Sequence, residues 1–251
     1  MSKKIRQWEA VVDTMRNLGG IATLAQLNQE VFKIDNCEWK TKTPFASVRR
    51  IVQQTPKYIY KIRPGLYGLI EFRNYLEANG YIVENNKNKS SKVLQEFNHS
   101  YYQGILLELG NMKHFKTFIP NQDQNKQFDI HRTLGHLSTL PEIPNYTYQN
   151  LVHRSSTIDV IWFNEHKLPH SFFEIEHSTD IQNSLLKYND LRYFYVDMYI
   201  VADEKREDEY TKKLSYDAFR EINKRVKFLS YDKLMIQYNI EITKSSLSFI
   251  L

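Results

Sequence analysis

The chain has 251 residues, of which 41% are hydrophobic and 25% charged, and these values exclude collagen-like, coiled-coil and wholly disordered proteins. No segment contains the roughly 18 to 20 consecutive apolar residues that a membrane span needs, and the lysines near the start are not followed by the apolar stretch of a signal peptide. We therefore expect a protein of the cytoplasm with no membrane partner. The single cysteine, Cys37, excludes an internal disulfide and a multi-cysteine zinc site.

The formal net charge of +5 is divided unevenly along the chain. Residues 1–92 contain 16 Lys and Arg against 8 Asp and Glu, which gives +8. Residues 93–251 contain 18 against 21, which gives −3. A basic part followed by a slightly acidic part suits a module that binds a polyanion and a module with a cluster of carboxylates, although a basic face can also simply be solvated.

The most polar segment of the sequence, ENNKNKSSK at residues 84–92, lies near this change of charge. It has no apolar residue and follows the turn-forming pair Asn79-Gly80, so we interpret it as an exposed connection. The sequence thus predicts a first domain at residues 1–84, a linker at 85–92 and a second domain at 93–251.

In the basic part, apolar residues at helical spacing predict a helix from Trp8 to Leu18 that ends at Gly19-Gly20. A second helix follows with Thr23 as its N-cap, and Thr43-Pro44 starts a third. Two short strands, 58–62 and 66–70, then flank Pro64-Gly65 and predict a β-hairpin. Three helices followed by a hairpin is the order of a winged helix-turn-helix.

This part resembles the HARE-HTH family over about residues 5–70, through the first helix that ends at glycine, the Thr43-Pro44 start and the closing sequence GLYGL at 65–69. HARE-HTH domains occur in chromatin-associated proteins and are fused to restriction endonucleases. The resemblance implies that the third helix enters the major groove of DNA and that the hairpin lies along the backbone. A basic face that binds a protein is the alternative. The implied DNA contacts are Ser47, Arg49, Arg50, Lys57, Lys61 and Arg63.

Two short segments of the second part, 156–163 and 170–178, are rich in aromatic and β-branched residues and predict a pair of strands joined by a hairpin loop. Side chains alternate along a strand, so Glu174 and Glu176 share one face. Two neighbouring carboxylates on an otherwise apolar strand are costly without a cation. Asp159, near the middle of the first strand, is well placed to join them at a site for Mg²⁺, which prefers carboxylate oxygens.

These strands resemble the PD-(D/E)XK nuclease superfamily and, within it, the type II restriction endonucleases. The resemblance covers roughly residues 95–235, and its specific residues are Ile158-Asp159 and Glu174-Ile175-Glu176. Isoleucine replaces the signature proline. Glutamate at 176 replaces the signature lysine, as it does in some restriction enzymes of the superfamily.

The other elements predicted for this part agree with the αβββαβ core of that superfamily. An apolar helix at 100–112 includes Glu108, and after Glu176 the sequence predicts a helix, a buried strand, a second helix and a final strand at 227–231. The predicted fold is therefore α/β, a mixed sheet with a restriction-endonuclease-like core, preceded by a small winged helix-turn-helix domain.

The resemblance also implies the chemistry of the site. Asp159, Glu174 and the carbonyl of Ile175 would hold Mg²⁺, with Mn²⁺ as a possible substitute, and Glu108 would align with a further acid that the first helix often supplies. Glu176 could ligate metal or accept a proton, and Lys187 on the next helix could restore the positive charge of the missing lysine. No histidine pair has a zinc-binding spacing, and we expect His177 to be the histidine closest to the acids.

The expected function is cleavage of double-stranded DNA at a specific sequence, with or without a modified base, by a magnesium-dependent type II restriction endonuclease. A homodimer would cut both strands, and a methyltransferase of the same system is a possible partner. A restriction system also implies a prokaryotic cell. Two alternatives stay open: a DNA-binding regulator whose nuclease-like domain is inactive and dimerises, and a repair or mobile-element nuclease that reads DNA structure. The irregular segment 122–154 is a candidate for contacts at the cleavage site.

Overall fold

The structure is a computed structural model that describes residues 4–41, 43–85, 87–88 and 91–247, with the backbone alone for 245–247. The chain divides into two compact units. The first contains residues 1–94 and 239–251, and the second contains residues 95–238. No helix among the described residues is long and apolar enough to cross a membrane.

The first unit contains the three predicted helices and the predicted hairpin. It also contains a short strand between the first two helices, which pairs with the second hairpin strand in a three-stranded antiparallel sheet of order β1-β3-β2. The elements are α1 (Gln7–Asn17), β1 (Ile21–Thr23), α2 (Leu24–Glu30), α3 (Pro44–Gln54), β2 (Ile59–Arg63), β3 (Leu66–Leu69) and α4 (Arg73–Ala78).

Local chemistry explains the boundaries of these helices. Gly19 and Gly20 have φ of 83° and 85°, a left-handed backbone that glycine adopts without strain, and they end α1. Thr23 caps α2: its hydroxyl accepts from the Gln26 N–H, and the Gln26 side chain accepts from the Thr23 N–H. Pro44 occupies the first turn of α3, where no intrahelical donor is needed.

Burial separates the six residues expected to contact DNA. Ser47 is 8% exposed and lies against the core of the first unit, with its hydroxyl directed to the Thr43 carbonyl, and Arg63 is 5% exposed. The expectation that these two side chains are presented to DNA is therefore wrong in this structure, because both side chains are packed inside the unit. The four that are exposed are Arg49, Arg50, Lys57 and Lys61.

The second unit is a mixed α/β structure built on a five-stranded sheet of order β4-β5-β6-β7-β8. Pairs β4-β5 and β5-β6 are antiparallel, whereas β6-β7 and β7-β8 are parallel, which confirms the predicted mixed sheet. The elements are α5 (Lys92–Met112), β4 (Lys116–Phe118), α6 (Leu134–Leu137), α7 (Gln149–Ser155), β5 (Val160–Phe163), β6 (Pro169–Glu176), α8 (Ile181–Asp190), β7 (Asp197–Ala202), α9 (Glu207–Leu214), β8 (Val226–Ser230) and α10 (Tyr231–Leu247). The first three residues of α5 and the part of α10 from residue 239 onward belong to the first unit.

The sheet is buried through apolar side chains on its central strands and on α8. Phe172, Met198 and Ile200 lie in one cluster with Leu185 and Tyr188 of α8, and all five are fully buried. Strands covered on both faces by helices are expected to be almost continuously apolar. The acidic side chains of β6 therefore stand out in this sheet and mark its candidate site.

The strand that precedes the acids is shorter than the sequence predicts. Residues 149–155 form α7, and β5 begins only at Val160. Asp159 thus lies directly before the strand, not near its middle. The short helices α6 and α7, together with a bridge between Gln127 and Thr133, give the segment 122–154 more structure than its irregular sequence indicates.

Candidate active site

Strand pairing brings Asp159 and Glu174 together. In the antiparallel register of β5 and β6, Val160 faces Phe173, and one further step of this register places Asp159 opposite Glu174. The position is held by a hydrogen bond of 2.8 Å in which the Ile175 N–H donates to Asp159 Oδ2. The two carboxyls predicted from the sequence are thus adjacent in the fold.

Glu174 and Glu176 share one face of β6, as the alternation of side chains predicts, and both are buried, with exposures of 2% and 4%. Ser184 of α8 lies against both: its Oγ is 2.9 Å from Glu174 Oε2 and also hydrogen-bonds Glu176. A serine hydroxyl has one proton, so both contacts are satisfied together only when one carboxyl carries a proton itself. Thr179 donates to the second oxygen of Glu176.

Lys187 lies one turn after Ser184 on the same face of α8. Its ammonium donates to Glu174 Oε1 at 3.0 Å, to Glu174 Oε2 at 2.8 Å and to the carbonyl of Thr157 at 2.9 Å. The side chain is 24% exposed, so the cation lies at the edge of the site. The structure therefore supplies from α8 a positive charge that the glutamate at position 176 cannot provide.

The pKa values of the two adjacent carboxyls are shifted in opposite directions. Burial raises the pKa of Glu174 to about 8, with a further rise from the charge of Asp159 that Lys187 and Ser184 oppose. Burial acts in the same direction on Asp159, but the charges of His99 and Lys187 and the N–H of Ile175 outweigh it and leave the pKa below the ordinary value. Without a cation, Asp159 is the ionised member of the pair near neutral pH, and Glu174 holds a proton.

The raised pKa of Glu174 predicts how stability depends on pH in the presence of chelator. Between the ordinary value of 4.5 and about 8, the folded protein binds more protons than the unfolded chain, so stability is lost as the pH rises through this window. Glu174→Gln, which stays neutral, should therefore gain stability over the wild type between pH 5 and pH 8, by up to a few kcal/mol at about 1.4 kcal/mol per pKa unit.

Urea unfolding of both proteins with chelator at several pH values measures this difference. Glu204→Gln, at an exposed position, serves as the matched control and should follow the wild type at every pH. A difference between Glu174→Gln and wild type that stays constant with pH would show that Glu174 does not hold the proton.

Two residues that the sequence did not single out complete the surroundings of Asp159. His99 Nε2 lies 3.5 Å from Asp159 Oδ1. Gln103, one turn later on α5, donates through Nε2 to the Asp159 carbonyl at 3.1 Å and to Asp123 Oδ2 at 2.8 Å. His99, Asp123 and Asp159 bring one ligand atom each within 4.8 Å of one another.

The spacing of His99 and Gln103 is the signal that could have found them. Residues four apart on a helix share one face. The apolar pattern predicts a helix that begins at Ser100, which leaves His99 outside it, whereas α5 begins at Lys92. The histidine at the acids is thus His99, and His177 contacts Asn98 at 3.2 Å instead.

Glu108 does not join these acids. It lies nine residues after His99 on α5, half a turn away around the helix axis, where Arg132 Nη1 donates to its Oε1 at 2.7 Å and the Tyr238 hydroxyl donates to its other oxygen. These contacts make Glu108 part of a partly buried ion pair. They give no support to the expectation that Glu108 binds the catalytic metal.

A cavity of about 570 Å³ shares the residue Thr157 with the surroundings of the site. Its lining includes Asn121, Glu142, Ile143 and Thr157. Thr157 accepts the hydrogen bond from Lys187, and it lies two residues before Asp159. The segment 122–154 thus contributes Glu142 and Ile143 to a cavity that also includes Thr157.

Comparison with known families and proteins identifies the kind of domain that carries these residues. A family model described as "Type II restriction enzyme NmeDI C-terminal domain" matches residues 68–248, which is more than half of the chain and includes every acidic residue of the site. Searches of curated proteins and of solved structures found no match. The paired carboxyls therefore lie in a restriction enzyme domain, and the chain belongs to the family of the type II restriction enzyme NmeDI C-terminal domain.

Proposed function

We propose that the protein is a magnesium-dependent endonuclease that hydrolyses phosphodiester bonds of double-stranded DNA at a specific sequence. The observation that carries this proposal is the pairing of Asp159 with Glu174 across neighbouring strands, with the ammonium of Lys187 on Glu174. Family membership supports the reaction class. The magnesium dependence and the sequence specificity are the further steps of the proposal.

The donors at the site suit a hard divalent cation. Asp159 and Glu174 would hold Mg²⁺ through carboxylate oxygens, which this ion prefers. The N–H and C=O of one strand residue point to the same edge of the strand. Because the Ile175 N–H is directed to Asp159, its carbonyl is also directed to that edge and is a third oxygen donor. The ion, when bound, would activate water and neutralise charge on the phosphate.

Lys187 and Glu176 have different roles in this proposal. Lys187 keeps a positive charge beside Glu174, where it would hold a non-bridging oxygen of the scissile phosphate. The charges of Glu174 and Asp159 outweigh the effect of burial and raise its pKa, so the ammonium keeps its proton. Glu176 is held by Ser184 and Thr179 and positions the hydroxyl that contacts Glu174.

Incubation of plasmid DNA with the full-length protein tests the proposal directly. We expect nicking or cutting with Mg²⁺ and none with chelator, and a discrete ladder of fragments from a long DNA. Mn²⁺ should replace Mg²⁺, and unmodified and methylated DNA are to be compared, because either can be the substrate. Cleavage that ignores sequence and follows DNA structure would favour a repair or mobile-element nuclease.

A DNA-binding regulator with an inactive nuclease domain is the second candidate. It is favoured by Glu176, which stands in place of the signature lysine. Such a protein would bind DNA equally with Mg²⁺ and with chelator and would cut in neither. The ammonium of Lys187 at Glu174 weighs against this candidate, because it supplies the site with a positive charge that the glutamate at position 176 does not provide.

We further propose that the first unit binds DNA through α3 and the β2-β3 hairpin. The exposed side chains Arg49 and Arg50 lie on α3, and Lys57 and Lys61 lie just before and within β2. Lysine and arginine that neutralise phosphates supply most of the sequence-independent affinity for DNA. Helix and hairpin together present four positive charges for this purpose.

Neutralising α3 should weaken DNA binding without changing the fold. Where the side chain contacts a base, we expect Arg49→Ala and Arg50→Ala each to reduce the free energy of DNA binding by about 1–3 kcal/mol. Where it contacts a phosphate, we expect the slope of log affinity against log salt concentration to fall by about one. Fluorescence anisotropy over a range of salt concentrations measures both effects. Lys33→Ala is the control, since this exposed lysine pairs with Glu30. Equal affinity for all three variants and the wild type would contradict the proposal.

Cutting both strands with one site per chain calls for two copies, so we propose that the enzyme works as a homodimer on DNA. Analytical ultracentrifugation with and without a DNA duplex tests this point. A methyltransferase that protects the same sequence is the partner that a restriction system would require. Digestion of genomic DNA with and without such modification, followed by sequencing of the ends, would identify the sequence that the pair shares.

A further inference from the structure

We propose that His99, Asp123 and Asp159 form a second cation site, which takes a divalent transition-metal ion with affinity for imidazole, such as Zn²⁺ or Co²⁺. Three separate segments supply its ligands: α5, the turn at Asn121–Asp123 and the residue before β5. The site shares Asp159 with the proposed magnesium site, but it does not depend on nuclease activity.

The distances between the ligand atoms suit one ion. The three atoms lie within 4.8 Å of one another, and His99 Nε2 is 3.5 Å from Asp159 Oδ1. Two ligands of a tetrahedral ion with bonds of about 2.1 Å are about 3.4 Å apart. The distance between the His99 and Asp159 ligand atoms therefore already suits one ion. A small movement of the Asp123 carboxylate would bring its oxygen to a similar distance from the other two ligand atoms.

The surroundings of the site are buried and orient its ligands. Asp123 is 3% exposed, and Gln103 is fully buried. Gln103 Nε2 donates to Asp123 Oδ2 and to the Asp159 carbonyl, which links two of the three ligand residues. Outer hydrogen bonds of this kind hold metal ligands in place.

A buried acceptor at the same place has no partner among the described residues. Gln103 Oε1 belongs to the amide that contacts both aspartates, and no described group donates to it. A buried polar atom without a partner carries a cost of about 1–3 kcal/mol. A cation bound by the aspartates, or a water molecule on that cation, would satisfy this oxygen.

The mixture of ligands selects the class of ion. Mg²⁺ and Ca²⁺ are bound by oxygen atoms, whereas imidazole suits Zn²⁺, Co²⁺ and Ni²⁺. The negative charge is presently balanced by His99 and by Lys126, whose Nζ lies 2.7 Å from Asp123 Oδ1. The Lys126 side chain is 39% exposed, so it can turn into solvent when a metal ion takes its place.

Titration of the full-length protein with Co²⁺ tests the site, because tetrahedral Co²⁺ absorbs visible light and reports its own coordination. We expect one equivalent to bind with a visible band and Zn²⁺ to displace it. His99→Ala and Asp123→Asn should lower the affinity at least about tenfold. Lys126→Met should raise the affinity, because it removes the competing cation, and a variant that binds more tightly has not lost its fold.

Two further variants separate this site from the proposed magnesium site. His153→Ala, an exposed histidine on α7, should bind Co²⁺ like the wild type, and so should Glu174→Gln. The proposal is overturned by the lack of a band in the wild type, by a band that survives His99→Ala, or by one that is lost in Glu174→Gln. Magnesium-dependent cleavage without Co²⁺ binding would refute this site alone, whereas Co²⁺ binding without cleavage would refute the proposed function alone.

Discussion

Asp159→Asn and Glu174→Gln will each abolish magnesium-dependent cleavage of plasmid DNA, with a loss of rate of at least about a thousandfold, while both proteins still bind DNA. Each substitution removes a negative charge and keeps the shape of the side chain. The asparagine can still accept from the Ile175 N–H, and the glutamine can still accept from Ser184 and Lys187. A metal-bound transition state stabilised by several kcal/mol loses a factor of ten for each 1.4 kcal/mol removed.

The measurement is single-turnover cleavage of a plasmid with excess enzyme, beside anisotropy of a labelled duplex. Asp190→Asn is the matched control, because this exposed acid of α8 pairs only with Arg154 among the described ion pairs. It should cleave at the rate of the wild type. Metal-dependent cutting by both Asp159→Asn and Glu174→Gln would remove these residues from the site.

Lys187→Met will reduce the rate of cleavage by about a hundredfold or more, and it will leave Mg²⁺ binding unchanged or tighter. The ammonium is the positive charge nearest to Glu174, and its loss removes a donor for the charge that develops on the phosphate, an effect of about 10² to 10³ in other enzymes. The same ammonium competes with a metal ion for the Glu174 carboxylate. Its removal should therefore separate metal affinity from rate.

Isothermal titration with Mg²⁺ in the presence of uncleaved duplex, together with single-turnover rates, measures the two effects. Lys213→Met is the control, since this lysine is paired with the exposed carboxyl of Asp180. A structural role for Lys187 would lower the rate and the metal affinity together and lower the melting temperature. A rate equal to that of the wild type would show that another residue supplies the positive charge of the missing signature lysine.

The paired acids were predictable because their arrangement is local. Side chains alternate along a strand, so Glu174 and Glu176 must share a face, and a hairpin places the preceding strand beside them. The helix caps are local in the same way: Thr23 and Pro44 act on the turn that follows them. These features depend on spacing within about 20 residues, and the sequence contains that information directly.

The remaining parts of the site depend on packing between distant segments. His99 and Asp123 reach Asp159 only because α5 and the turn at 121–123 are both placed at the start of β5. Glu108 is on the same helix as His99, yet its direction around the helix axis takes it to Arg132. A helix sequence tells which residues share a face, but only the tertiary fold decides which face meets the acids.

The residues expected to contact DNA show the same division. The basic charge of the first 92 residues is a property of composition, and it marks this part as the one suited to a polyanion. From their positions in the third helix and the hairpin, Ser47 and Arg63 are predicted to lie on the surface that faces DNA. Their burial results from side-chain packing within the unit, which no local pattern records.

By itself, the sequence determined the basic and acidic parts of the chain, the α/β class of the second part, and the strand pair that brings together Asp159, Glu174 and Glu176. These follow from composition, periodicity and spacing, which act over short stretches of chain. Only the tertiary structure decided that Lys187 contacts Glu174, that His99 and Asp123 surround Asp159, and that Glu108 lies elsewhere. Each of these depends on which helix face packs against the sheet, and that choice results from burial of apolar surface over the whole unit.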